Sequence, residues 1–134
     1  MKEDLKMADR QKFFVCEKCG NMVGFIKFSG AIPVCCGQDM KELVPNTVDA
    51  SKEKHVPVIK VDGNIVTVDV GSAPHPMIDV HYIEWVYVET EQGGQRKALS
   101  PNDKPSVVFA LTDDDKVQSA YAYCNLHGLW KASV

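Results

Sequence analysis

No run of eighteen or more apolar residues occurs in this 134-residue chain, so it offers no candidate for a membrane-spanning helix. A strong charge bias is also missing: the formal net charge of −3 argues neither for a nucleic-acid partner nor for an acidic tail. Residues 1–12 are charged and lack the apolar core that an export signal needs, with Met7 as a possible alternative start. Together these absences lead to the expectation of a cytoplasmic protein, where thiols stay reduced. Internal repeats, low-complexity segments and a convincing helical period are absent too. Spare histidine and cysteine are the last things lacking. All four histidines and all five cysteines fall into two groups with metal-ligand spacing.

What is present describes an ordinary globular protein, 45% hydrophobic and 25% charged. Residues 13–44 are framed by cysteines and interleaved with Gly20, Gly24, Gly30 and Gly37. Their apolar complement is small: Phe13, Phe14, Val15, Phe25, Ile26, Phe28, Ile32 and Val34. A unit of this size rarely folds on burial alone, and a metal held by thiolates would staple it. The polar stretch 45–54 reads as a linker, and residues 55–134 read as strands separated by turns. Strands are expected at 65–70, 81–89, 106–111 and 117–124, with His81, Ile83, Trp85 and Tyr87 sharing one face of the second. An all-β antiparallel sandwich accommodates them.

The first group is Cys16-x-x-Cys19 with the adjacent pair Cys35-Cys36. A two-residue gap lets a tight turn point both sulfurs at one ion while spare amides hydrogen-bond to them. Adjacent cysteines normally point apart, so one ion needs a local twist, which Gly37 can supply. Zinc and iron both accept four thiolates. Disulfides are the plainer alternative, disfavoured by the compartment and by the strain of a vicinal bridge.

The second group is His55, His75, His81, Cys124 and His127. Imidazole suits zinc, copper, iron or nickel, and a thiolate pushes electron density onto a redox metal. Cys124 and His127 sit where a strand runs into the Gly128 turn, so one loop can supply two ligands. Five ligands would leave one octahedral position for a small substrate. Any one of these histidines alone reads as a satisfied core or surface residue; their convergence with the one remaining cysteine is what favours a metal.

Glu53-Lys54-His55-Val56-Pro57, His75-Pro76-Met77, His81-Tyr82-Ile83 and Cys124-Asn125-Leu126-His127-Gly128-Leu129-Trp130-Lys131 closely resemble the superoxide reductases. With Cys16, Cys19, Cys35 and Cys36 in front, the chain is similar to the two-iron form, desulfoferrodoxin, over residues 13–134. The resemblance implies a desulforedoxin-like domain (1–44) holding one iron through the four cysteines. It also implies an immunoglobulin-like sandwich (55–134) whose iron has His55, His75, His81 and His127 in a plane and Cys124 on the axis. The implied reaction is one-electron reduction of superoxide to hydrogen peroxide. Lys54 would steer the anion or hold a proton-donating water, and Glu53 would take the vacant position on ferric iron. A homodimer and a rubredoxin donor are the partners implied. An electron carrier, a zinc-bearing storage or sensing module, and a superoxide dismutase are the competing readings.

Overall fold

The computed structural model describes residues 11–134; the expectations about residues 1–10, including the alternative start at Met7, lie outside them. The chain divides between Val44 and Pro45 into two compact units.

In the first unit, β1 (Phe13–Val15) pairs antiparallel with β2 (Met22–Gly24) on one side and β5 (Lys41–Glu42) on the other. A separate hairpin joins β3 (Val34–Cys35) to β4 (Gln38–Asp39). Its core is smaller than the composition allows. Phe14, Cys16 and Met40 are buried, with Phe25, Phe28 and Cys35 packed against them. Phe14, Phe25 and Phe28 form an aromatic triad with ring centroids 5.0–5.6 Å apart. Ile26, Ile32 and Val34 are exposed instead.

The second unit is a sandwich of two antiparallel sheets. One runs β10 (Ser106–Ala110), β7 (Ile65–Val70), β6 (Pro57–Asp62); the other runs β12 (Gly128–Ser133), β11 (Val117–Cys124), β8 (Ile83–Thr90), β9 (Gly94–Ala98). Alternation along the strands puts Val66, Val68, Val70, Val107 and Phe109 of one sheet against Val86, Val88, Ala120 and Ala122 of the other. The edges of the two sheets are tied by side chains: Lys97 Nζ donates to Val108 O at 2.5 Å, and Gln95 Nε2 to Ala110 O at 2.9 Å. Among the described residues no helix is long and apolar enough to cross a membrane.

Three expectations need correction. His81, Ile83, Trp85 and Tyr87 do not share one face. Cys124 pairs with Ile83 but Tyr123 pairs with Trp85, so Glu84 is the extra residue of a β-bulge. Ile83 therefore joins Val86 and Val88 in the core, while Trp85 stacks on Tyr123 with ring centroids 5.7 Å apart. The stretch 45–54 is not a free linker, because Asn46 is stitched to β12. Its N–H donates to Leu129 O, its Nδ2 to Lys131 O, and its Oδ1 accepts from Lys131 N–H. A single helical turn, Lys52–His55, ends that stretch where no helical period was visible.

Candidate metal centres

Two turns build the four-sulfur cluster. Between β1 and β2, Cys16 N–H donates to Asn21 O at 2.7 Å and Gly20 N–H to Cys16 O at 2.9 Å, folding Cys16 and Cys19 over one point. Backbone N–H groups face the sulfurs: Cys19 N to Cys16 Sγ at 3.5 Å and Asn21 N to Cys19 Sγ at 3.4 Å. Between β3 and β4 the loop is only Cys36-Gly37, with φ of 53° and 76°. Two positive φ values in a two-residue loop belong to the hairpin turn that matches strand twist. The twist that adjacent cysteines require is thus shared by Cys36 itself, not supplied by glycine alone.

All four sulfurs lie within 4.8 Å of one another. Cys19 Sγ is 3.6 Å from Cys35 Sγ, which is 3.9 Å from Cys36 Sγ. Thiolates about 2.3 Å from a tetrahedral ion would be ~3.8 Å apart, so the cage fits a metal. Its electrostatics agree. The Cys19 backbone N–H, ahead of other hydrogen bonds, holds Cys16 down at about 6 despite burial, whereas Cys19 and Cys16 push Cys36 up to about 12. One thiolate forms readily and makes the next harder to form, a conflict that a bound cation removes.

The second cluster draws on four segments. His55 ends the helical turn, His75 follows β7, His81 precedes β8, and Cys124 and His127 flank the β11–β12 hairpin. Outer hydrogen bonds fix two tautomers. His55 Nδ1 donates to Ser51 O at 2.6 Å and His75 Nδ1 to Pro76 O at 2.7 Å, leaving both Nε2 atoms free as donors to a metal. Neighbouring ring centroids are 4.7 Å (His55–His75), 4.7 Å (His75–His81), 5.0 Å (His81–His127) and 4.9 Å (His127–His55) apart. The His55–His81 distance is 6.4 Å, and those two rings are tilted by only 32°. A tetrahedron would make all six separations equal, whereas a square makes its diagonals about 1.4 times its sides. The imidazoles therefore form a square.

The donor atoms pass the same test. His55 Nε2 lies 3.1 Å from His127 Nδ1 and 3.2 Å from His75 Nε2, against ~3.0 Å for adjacent nitrogens of a square plane with bonds of about 2.1 Å. His55, His81, Cys124 and His127 offer ligand atoms all within 4.8 Å of one another; His75 falls outside that tightest set but completes the square through His55. His81 Nε2 is buried with no hydrogen-bond partner, an orphan that a metal would satisfy. Burial is the first cause lowering His55, His81 and His75, the last to about 4, so the rings stay neutral and able to ligate. Burial likewise pushes the Cys124 thiol up, against the Leu126 and His127 backbone N–H groups that favour its thiolate.

Glu53 and Lys54 are exposed on the turn that carries His55. Burial is the main cause lowering His55 and His81, and the Lys54 charge adds to it in both. Sequence reasoning missed two supports. Trp130 lies 4.9 Å from the His55 ring and donates from Nε1 to His127 O at 3.0 Å. Asn125 ties the His81 loop to the Cys124 hairpin, accepting from Tyr82 N–H and donating to Val80 O. Both fall inside the motifs that carry the resemblance, and their attachment to ligand residues was the available signal.

A four-sulfur cage and a square of imidazoles beside a buried thiol, each on an all-β unit, define a two-centre non-haem metalloprotein. Family models agree: residues 47–133 match "Desulfoferrodoxin" and residues 8–43 match "Desulfoferrodoxin, N-terminal domain". The chain belongs to the desulfoferrodoxin family, which carries two iron centres. It is 45% identical to a desulfoferrodoxin homolog of Archaeoglobus fulgidus, over 94% of this chain and 99% of that one. With the desulfoferrodoxin of Nitratidesulfovibrio vulgaris it shares 42% identity, over 94% and 98%. Among solved structures, the superoxide reductase from Treponema pallidum superposes with a TM-score of 0.79 at 41% identity, covering 92% of this chain and 99% of that chain. These relatives agree with the expected fold class, a desulforedoxin-like unit before an immunoglobulin-like sandwich.

Proposed function

We propose that this chain is a superoxide reductase whose chemistry belongs to the histidine cluster. The square of imidazoles carries the reading, because four imidazoles and a thiol would give a metal five ligands and leave room for a small substrate. His55, His75, His81, His127 and Cys124 would hold the iron. Bound ferrous iron would supply the one electron that, with two protons, converts superoxide to hydrogen peroxide.

The protein residues do the rest. Burial keeps the His55 and His75 rings neutral near neutral pH, so protons would not compete with a metal for them. Cys124, buried and with the Leu126 and His127 backbone N–H groups favouring its thiolate, would donate charge to the iron. Lys54 draws in the anionic substrate against a mildly negative chain and can hold the water that delivers a proton. The Glu53 carboxylate is the candidate to close the vacant position after turnover. Cys16, Cys19, Cys35 and Cys36 would hold the other iron, which would relay electrons or chiefly hold its unit together. Rubredoxin as donor, a homodimer and a cytoplasmic setting complete the proposal.

The deciding measurement is peroxide formed per superoxide consumed by the anaerobically reduced protein in sub-stoichiometric pulses. A ratio of about one, with matching oxidation of the histidine-site iron, supports a reductase. A ratio of about one half without net iron oxidation means dismutation, in which the metal also oxidises superoxide, and the proposal fails.

A further inference from the structure

The turn that carries Glu53 and Lys54 has little of its own to hold it in place. It spans four residues, far below the length at which a helix persists unaided. Its local bonds are Val56 N–H to Lys52 O at 2.9 Å and a long Lys54 N–H to Ser51 O at 3.4 Å. Ser51 stands at the capping position but makes no side-chain cap bond. Lys52, Glu53 and Lys54 are all exposed, and only His55 is buried.

The support comes from the segment that follows β7. Ala73 N–H donates to Glu53 O at 2.8 Å, and Ser72 Oγ donates to the same oxygen at 3.2 Å. Gly71 lies against the turn so closely that a Cβ there would sit 2.7 Å from Glu53 O and 2.8 Å from Val56 O. Those are main-chain atoms, so no side chain can swing aside to make room. The same segment ends at His75, whose N–H is fixed to Val70 O at 2.8 Å. One short piece of chain therefore braces the charged turn at one end and presents an imidazole of the square at the other.

We propose that Gly71, Ser72 and Ala73 form a seat that fixes the Glu53–Lys54 turn beside the histidine square, with Ser72 a positioning residue for the Lys54 charge. The proposal rests on the reading of Lys54 as the group that draws in superoxide. Its physical content is coupling: the closer the backbone contact at Gly71, the narrower the range of positions open to the ammonium. A steering charge acts through its location, so a loosened turn blurs the attraction without removing the charge.

The test uses the iron-loaded full chain and the variants Ser72→Ala, Ser72→Thr, Gly71→Ala and Lys54→Met. Two quantities are read: amide hydrogen exchange across residues 52–56, and the superoxide association rate as a function of ionic strength. Ser72→Ala is expected to speed exchange in the turn about tenfold, the size of one net hydrogen bond, with β8 amides unmoved. It should also lower the low-salt association rate about threefold. Gly71→Ala should do both more strongly, and Ser72→Thr, which keeps the hydroxyl, should restore wild-type values. Unchanged exchange in Ser72→Ala, or exchange that rises equally in β8, overturns the seat; this readout decides the matter even where Gly71→Ala does not fold. Lys54→Met separates the two ideas. If it leaves the association rate and its salt dependence untouched while Ser72→Ala still loosens the turn, the steering reading falls and the seat remains. If Ser72→Ala slows association further in the Lys54→Met background, Ser72 does not act through Lys54.

Discussion

Among the described residues, the core cluster around Phe14 in the unit before Pro45 gathers three buried side chains, Phe14, Cys16 and Met40, whereas the cluster between the sheets of the sandwich gathers fourteen. In the small unit a metal ligand, Cys16, is itself one of the three, so core and metal cage cannot be separated. In the sandwich only Cys124 does both jobs, and the four histidines stand at strand ends and loops around a core that is complete without them. The difference lies in what each metal is for. A metal in the first would be expected to contribute much of its unit's folding energy, and one in the second would sit on a scaffold whose core does not depend on it.

The largest effect that could break this comparison is loss of the first metal. Chelation of iron, or Cys16→Ser, should unfold residues 11–44 while the sandwich keeps its protection; structural zinc contributes about 10–16 kcal/mol in small zinc-finger peptides, which sets the scale for a metal-stapled unit. Hydrogen exchange measured on both units decides it, and retained protection around Phe14 would mean that the aromatic triad suffices alone. Next in size is the converse experiment. Phe109→Ala, at a fully buried position between the two sheets, should destabilise the sandwich by about 3–5 kcal/mol and leave the visible absorption of the sulfur site unchanged. Urea unfolding monitored beside that absorption tests both halves of the statement.

Acid should also divide the two. Burial holds His75 down at about 4, with His55 and His81 lowered as well, so in the metal-free protein the unfolded chain takes up protons first as pH falls. Sandwich stability contributed by these rings is full above about 6.5 and is lost toward 4. Unfolding midpoints at stepped pH should fall across that window; a flat profile would mean that the rings are not buried when metal-free. The smallest predicted effect is Trp130→Phe, which keeps a ring near His55 but removes the N–H bonded to His127 O. About 1 kcal/mol of stability should go, with a shift in the spectrum of the loaded histidine site and none in the sulfur site.

Much of this arrangement was legible in the residues. β7 begins and ends where its alternation puts it, because a half-buried strand writes its period into the sequence, and β11 where its strand-forming residues put it. The two clusters were legible because the chain spends no histidine or cysteine elsewhere. β9 was not, since an edge strand of Gly-Gln-Arg-Lys-Ala faces water and carries no apolar period. The bulge at Glu84 was hidden for a different reason. A single inserted residue inverts every side chain beyond it, and nothing in Ile83–Tyr87 marks where the inversion falls. The helical turn at 52–55 escaped because neighbouring backbone holds it, not its own propensity.

The two side chains that leave β9 for β10 have a consequence beyond the fold. Strands at a sheet border expose a row of carbonyls on which a strand from another molecule can assemble. Lys97 and Gln95 occupy the carbonyls of Val108 and Ala110, and the lysine brings a charge to a border that carries exposed Val108. The seam between the sheets thereby doubles as a guard against fibre growth. That protection would persist even when both metals are gone.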